Sequence, residues 1–134
     1  MISFIISGTP KALKRHRSSN GRMYDPSSKD KRDMWLQIAK HRPETPLKGC
    51  IYLKVEFYMP RPKSHFRTGK YAHLLKKEMP NLHSNKPDLD NLLKMIADIV
   101  QGRDRIIYDD SQICWISATK IYGDPRTEVM IEEL

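Results

Sequence analysis

Most of the residues that could do chemistry fall in two short acidic stretches. The first runs Lys86-Pro87-Asp88-Leu89-Asp90-Asn91-Leu92-Leu93-Lys94, and the second is Asp109-Asp110-Ser111-Gln112. Asp88 and Asp90 are two residues apart, which inside a helix would turn them about 200° from one another. Both can face one ion only if Asp88 stands at or before the helix cap. Pro87 makes that geometry available, because it biases Lys86 toward an extended backbone and starts the helix near Asp88. A helix N-terminus favours ionised carboxylates, and a metal ligand has to be ionised. Lys94 follows Asp90 by four residues, and Asp98 follows Lys94 by four. On spacing alone, an i,i+4 ion-pair ladder with Asp88 as a capping residue is the commoner arrangement, and adjacent acids such as Asp109-Asp110 are commonly a solvated turn. Taken together, the two stretches allow a sharper chemistry. Two or three aspartates with phosphate oxygens would complete the all-oxygen octahedral shell that magnesium prefers, at about 2.1 Å. Such an ion would activate a water and offset the charge that builds on a phosphodiester, and a neighbouring lysine would help neutralise that charge.

The charge distribution fits a polyanionic partner. The chain of 134 residues carries a net charge of +8, unevenly placed. Residues 1–87 hold 19 Lys/Arg against 6 Asp/Glu, whereas residues 88–134 hold 5 against 10. This is compatible with a well-solvated surface of uneven charge, and also with a phosphate-binding face around carboxylates that hold a cation. Lys11, Lys14, Arg15, Arg17 and Lys86 are the candidate phosphate contacts, and His16 could add another.

The elements that must position these groups can be read from hydrophobic period and turn chemistry. Ile2–Ser7 reads as a first strand. Residues 8–26 read as a long basic loop, and loops of that length in compact domains are usually functional or disordered. Ser27 or Ser28 caps a helix to about His41, with Trp35, Leu36, Ile38 and Ala39 as its apolar face and Met34 at the edge. Cys50–Met59 alternates at period two and is the clearest strand. Residues 60–87 are basic and proline-broken, and read as a mobile connection with a short helix around 71–78. Residues 89–100 form a strongly amphipathic helix, with Gly102 placed as its C-cap glycine. Residues 112–122 and 127–131 are strands joined by the turn Gly123-Asp124-Pro125-Arg126. The expected fold is one α+β domain over residues 1–134, a mostly antiparallel mixed sheet with two main helices in the order β-α-β-(α)-α-β-β.

Several function classes are disfavoured. No run approaches the roughly 18 apolar residues of a membrane helix, and the N-terminus lacks the charged n-region of a signal peptide, so a cytoplasmic location with no membrane association is expected. Cys50 and Cys114 are expected to be reduced and buried in strands. Neither has a Cys-x-x-Cys partner, and the five histidines have no finger-like spacing to them. Trp35, Phe57 and Trp115 are expected in the core.

The joint pattern Lys86-Pro-Asp88-Leu-Asp90-Asn91-Leu-Leu-Lys94, Asp98 and Asp109-Asp110-Ser-Gln112-Ile resembles the signature of the RusA family of Holliday junction resolvases. The likeness extends more weakly to the N-terminal strand, the basic loop with Lys14 and Arg15, and the helix after it. It implies a magnesium-dependent endodeoxyribonuclease, with manganese as the alternative ion, acting as a homodimer on four-way junction DNA in recombination and repair. By position, Asp88, Asp90 and Asp110 correspond to the family's metal ligands and Lys94 to its essential lysine. Asp109 is an alternative ligand. Asn91 and Asp98 are supporting residues, Asp98 by orienting Lys94 from the next turn. Two readings stand beside this one: a branched-DNA-binding protein that does not cut, and a ribonuclease or general structure-selective nuclease on the same scaffold.

Overall fold

In the computed structural model, which describes residues 1–134 throughout, the chain runs β1 (Ile2–Ser7), β2 (Arg17–Ser19), β3 (Arg22–Tyr24), α1 (Ser28–Ile38), β4 (Ile51–Met59), α2 (Leu89–Val100), β5 (Ile113–Tyr122) and β6 (Arg126–Glu133). The alternation read in β4 makes it an inner strand. Ile51, Leu53, Val55, Phe57 and Met59 face a buried layer, while the intervening residues line the other face of the sheet. The sheet order is β1-β6-β4-β5; β1 and β4 each pair antiparallel with β6, and β4 pairs in parallel with β5. The two helices cover one face only, which leaves the other to water, as mainly antiparallel sheets allow. This is the expected α+β architecture.

The core is a single cluster of 19 buried apolar residues. α2 contributes Leu92, Met95, Ile96, Ile99 and Val100, a continuous stripe at helical spacing. α1 docks through Met34 and Ile38, with Ser27 buried at its start. Its expected face was rotated: Leu36 is 69% exposed, and Trp35 is only half-buried against the core. Ser27 occupies the N-cap position, but its hydroxyl accepts from the Lys14 amide at 2.9 Å rather than from its own helix.

Other expectations are corrected. Residues 17–24 are not loop but a hairpin whose tip, Asn20-Gly21, has both residues at positive φ (53° and 78°), the geometry of a two-residue turn matched to strand twist. No helix forms at 71–78. Residues 65–76 instead fold back on themselves, with Arg67 and Lys76 amides donating to Leu74 and His65 carbonyls at 2.8 and 2.9 Å. Glu78, at φ 60°, then breaks any helical path. Nor is the end of this stretch a free connection, since His83 and Tyr122 amides donate to Lys120 and Asn81 carbonyls. Cys50 and Cys114 are both exposed, just before β4 and in the first residues of β5. Phe57 is buried as expected, whereas Trp115 is 56% exposed on the open face, stacked on Tyr52 at 4.3 Å.

The turn after β5 does not make a hairpin. β6 lies beyond β4, so residues 123–125 must cross the end of β4 within three residues. Gly123 makes this crossing over Tyr58: a Cβ there would lie 2.9 Å from the ring, while the Gly123 amide bonds to the Met59 carbonyl at 3.0 Å. Gly123→Ala should therefore destabilise the fold by about 1–3 kcal/mol, the usual cost of overpacking. A lowered urea midpoint at unchanged m-value is the expected readout.

Candidate metal and nucleic-acid site

At the start of α2 the backbone meets the condition set by the Asp-x-Asp spacing. Asp88 is the N-cap residue with an extended backbone (φ −70°, ψ 141°), and its side chain makes no capping bond. Its carbonyl already accepts from the Leu92 amide at 3.1 Å, so the helix begins there without using the carboxylate. Asp90 sits in the first turn, and Lys94 Nζ lies 4.0 Å from its carboxylate, with both side chains mostly in water. The segment leading into Asp88 is clamped from the sheet. Lys120 Nζ donates to the Asn85 carbonyl at 2.7 Å and the Pro87 carbonyl at 2.8 Å. Sequence reasoning missed this residue. Its signal was that Lys120 is the lone charged residue in an otherwise apolar and small-residue strand.

The basic loop is tied to the same end of the helix. The Leu13 amide donates to the Asn91 carbonyl at 3.0 Å, which brings Lys14 and Arg15 beside the first turn of α2. Lys14, Arg15, Arg17 and Lys86 are exposed. Lys11 is engaged by Asp30 at 3.0 Å. His16 is exposed, 4.0 Å from Asp25. Behind the loop, Lys31 of α1 bridges Asp25 at 2.6 Å and Asp98 of α2 at 3.1 Å. Asp98 is therefore turned to Lys31 and does not orient Lys94; the packing of α1 on α2 places the half-buried ammonium of Lys31 against it. Burial opposes the charge on Lys31, but the two carboxylates outweigh it and hold its pKa above 10.5. The Lys31 ammonium and the Ser27 amide hold the Asp25 carboxyl below 3.8.

The second acidic stretch is built as a rigid turn. Asp109 caps the short helical turn Asp110–Gln112, its carboxylate accepting from the Ser111 amide at 3.0 Å; the Ser111 hydroxyl first and this amide second lower its pKa. Gln112 does more than the sequence suggested. Its oxygen accepts from the Tyr108 and Asp109 amides, each at 2.9 Å, and its nitrogen donates to the Leu47 and Gly49 carbonyls at 2.8 and 3.1 Å. The two acids thus differ: Asp109 is committed to the turn, whereas the exposed carboxylate of Asp110 has no protein partner. The Asp110 amide is fixed to the Gln101 side chain at 3.0 Å, which in turn lies 3.5 Å from Asp98.

That anchoring has a geometric consequence. Asp110 is held at the Asp98–Gln101 end of α2, while Asp88 and Asp90 occupy the other end. The eight residues from Asp90 to Asp98 alone rise about 12 Å along the axis, whereas two carboxylates sharing one ion each need an oxygen about 2.1 Å from it. In agreement, no three His, Cys, Asp or Glu side chains of the chain are placed to hold a metal ion. The expected three-carboxylate cluster is therefore not assembled within one chain. What the fold does bring together is Asp88, Asp90, Asn91 and Lys94 with the basic loop. Two exposed carboxylates suit a hard cation as a partial set of ligands, with the Lys94 ammonium beside them.

The chain is similar to known proteins along most of its length. The family model for endodeoxyribonuclease RusA matches residues 6–132. An uncharacterised protein of Bacillus subtilis (strain 168), YqaN, is 36% identical over 99% of the chain and 96% of its own length. The crossover junction endodeoxyribonuclease rusA of Lactococcus phage r1t is 29% identical over 81% of the chain and 74% of its own length.

The Lys31 bridge gives a pH-dependent prediction. Lys31→Met leaves Asp25 and Asp98 facing one another and should cost about 1–2 kcal/mol at neutral pH. Asp25 has a lowered pKa, so its contribution is present above the ordinary carboxylate value and lost as pH falls through the lowered one. Lys31 has a raised pKa, so its share persists up to its ordinary value and is lost only above 10.5. Thermal melts of both proteins should therefore converge at acid pH, below 3.8, and stay apart across the neutral range. A gap that widened on acidification would refute the bridge.

Proposed function

The chain belongs to the RusA endodeoxyribonuclease family, and from that premise we propose that it resolves four-way DNA junctions as a homodimer, with magnesium, or manganese in its place, as cofactor, in recombination and repair. The observation that carries this reading is the exposed turn Asp88–Lys94, where an uncapped carboxylate, a second carboxylate and a lysine sit beside a loop of exposed cations. Asp88 and Asp90 would hold the ion, which when bound supplies Lewis acidity and charge neutralisation at the scissile phosphate. Lys94 offsets the negative charge that develops there. Lys14, Arg15, Arg17 and Lys86 grip the flanking phosphates, and Asn91 fixes the loop through its carbonyl. Lys11, already paired with Asp30, is a lesser contact. Asp98 acts at a distance, through the Lys31 bridge that seats α1 on α2.

The third ligand is Asp110, supplied by the partner subunit. Within one chain it is held at the wrong end of α2, yet it is the exposed and uncommitted member of its acidic pair, while Asp109 shapes the turn. A homodimer with shared sites accounts for both facts, and two-fold symmetry suits two matched strand cuts.

A protein that binds branched DNA without cutting is the competing reading. It gains nothing from carboxylates facing phosphate, which repel unless a cation lies between them. Incubation of a labelled four-way junction beside linear duplex, with magnesium and with chelator, separates the two. The expected result is symmetric, magnesium-dependent cutting of the junction alone, with affinity that falls steeply as salt rises. Asp90→Asn should retain junction binding and lose cutting by about 100-fold or more; undiminished cutting would remove Asp90 from the chemistry.

Shared sites make a further outcome specific. Asp88→Asn and Asp110→Asn should each be inactive alone. Mixed after subunit exchange, they should nick one strand of the junction, because one of the two sites in the mixed dimer then holds both native aspartates. Continued inactivity of the mixture, with exchange verified, would place each site within one chain.

A further inference from the structure

We infer that residues 61–77 form a second DNA-gripping arm, which holds the sugar-phosphate backbone on the opposite side of Asp88 and Asp90 from the basic loop. The inference rests on the nucleic-acid reading proposed above and names a surface which that reading leaves out.

The stretch 61–77 holds six Lys/Arg and no Asp/Glu. Lys63, Arg67, Lys70, Lys76 and Lys77 are all exposed, and none of them pairs with a carboxylate. Like charges crowded into one short stretch repel, and a polyanion relieves that repulsion. The stretch is nevertheless folded. The backbones of Phe66 and Leu75 pair antiparallel, and the fold-back bonds at Arg67 and Lys76 close the arm on itself. At its tip, Lys70 lies over the exposed Tyr71 ring, 5.1 Å from the centre.

The root of the arm is built on Tyr122 of β5. The Arg61 guanidinium lies over that ring at 4.8 Å, and the His65 ring meets it edge-on at 5.0 Å. Arg61 Nη1 is 3.3 Å from His65 Nδ1, and the His83 ring packs on Tyr122 as well, at 5.2 Å. Arg61 is thus the cation spent on seating the arm, and the other five are left for a ligand.

This root fixes where the arm stands. Tyr122 lies two residues, about 7 Å, along β5 from Lys120, and Lys120 holds the Asn85 and Pro87 carbonyls just before Asp88. The arm therefore approaches Asp88 from the β5 edge of the sheet. The basic loop approaches from the other edge, since it follows β1 and meets α2 through the Leu13–Asn91 bond. β1 and β5 are the two outer strands, so the two sets of cations flank the carboxylates. A small anion engages one set or the other; only a long polyanion engages both. Phosphate contacts fix the register of a bound strand, and contacts on both sides keep one phosphate over Asp88 and Asp90 instead of letting the strand slide.

Hydroxyl-radical footprinting of a four-way junction, in chelator, tests this without cutting. One variant combines Lys70→Gln, Lys76→Gln and Lys77→Gln; another combines Lys14→Gln and Arg15→Gln. The unaltered protein should protect two separate stretches of backbone in each symmetry-related half of the junction. The triple variant should lose one stretch and the loop variant the other. The triple variant should also bind on the order of 10-fold more weakly, with a slope of log affinity against log salt shallower by about 3. Its circular dichroism should be unchanged, because all three side chains are exposed. A single protected stretch with the unaltered protein, an unchanged footprint and slope in the triple variant, or loss of the same stretch by both variants would overturn the inference. Leu74 and Leu75 are exposed beside these lysines, so phosphatidylglycerol vesicles are the control: a triple variant that loses vesicle binding and keeps junction affinity makes the arm a membrane contact and also overturns it. The nuclease reading fails separately. A two-sided footprint with no cutting in magnesium keeps the arm and loses the activity, while junction cutting with a one-sided footprint does the reverse.

Discussion

A twelve-residue α-helix has a length that side chains cannot shorten, and α2 imposes that length on the molecule. Its rise is about 18 Å. It supplies five of the buried residues around which the sheet and α1 pack, so it cannot bend or shift without opening the core. Each end is then fixed separately. At its start, Lys120 reaches from β5 to hold the carbonyls before Asp88. At its finish, the Val100 carbonyl accepts from the Ile106 and Ile107 amides, and Arg105 donates to the Ile99 carbonyl at 2.7 Å while lying over the Trp35 ring. The acidic groups at the two ends are therefore held apart as firmly as the core is packed, and a centre that needs both must draw on two chains.

The charged groups divide along the same lines. The half-buried Lys31 is paired with Asp25 and Asp98, and at the loop's edge the exposed Lys11 is paired with Asp30. These pairs hold α1 and the basic loop in register with the helix. The ions left exposed are the ones that a polyanion and a hard cation would engage, namely Asp88, Asp90, Lys94, Lys14 and Arg15. The charges that hold the scaffold together are thus distinct from those left free for a ligand, and they sit one layer behind.

Much of this was legible in the residues. The period-two run of β4 and the helical stripe of α2 specify their own burial, because each pattern fits one backbone geometry only. Pro87 before Asp88 announces an extended cap, and the structure has one. What was missed depends on contacts between distant segments. Lys120 and Gln112 look like ordinary strand and turn residues until the chain folds carbonyls against them. Asp98 has Lys94 at i−4 but is claimed by Lys31 from another helix. The order β1-β6-β4-β5 is invisible to a local reading, since the turn at 123–126 looks like a hairpin and only the crossing over Tyr58 shows otherwise. Asn20-Gly21, by contrast, was an overlooked local signal, a two-residue hairpin hidden inside a basic loop. Trp115 and Cys114 are expected in the core from residue type and strand-like surroundings, neither of which says whether a strand lies at an edge.

The two outer strands of the sheet differ in a way that bears on assembly beyond a pair. β1 is short, ends at Ser7 before Gly8-Thr9-Pro10, and has its terminal amide taken by the Gln37 side chain at 2.9 Å. β5 is long and bare for seven residues. A sheet with two equally receptive edges can add copies head to tail without limit and grow into a fibre, whereas one with a single receptive edge that pairs with itself is finished after one addition. The asymmetry between β1 and β5 therefore limits any edge-to-edge association to one addition, so that an exposed strand need not turn the chain into a polymer.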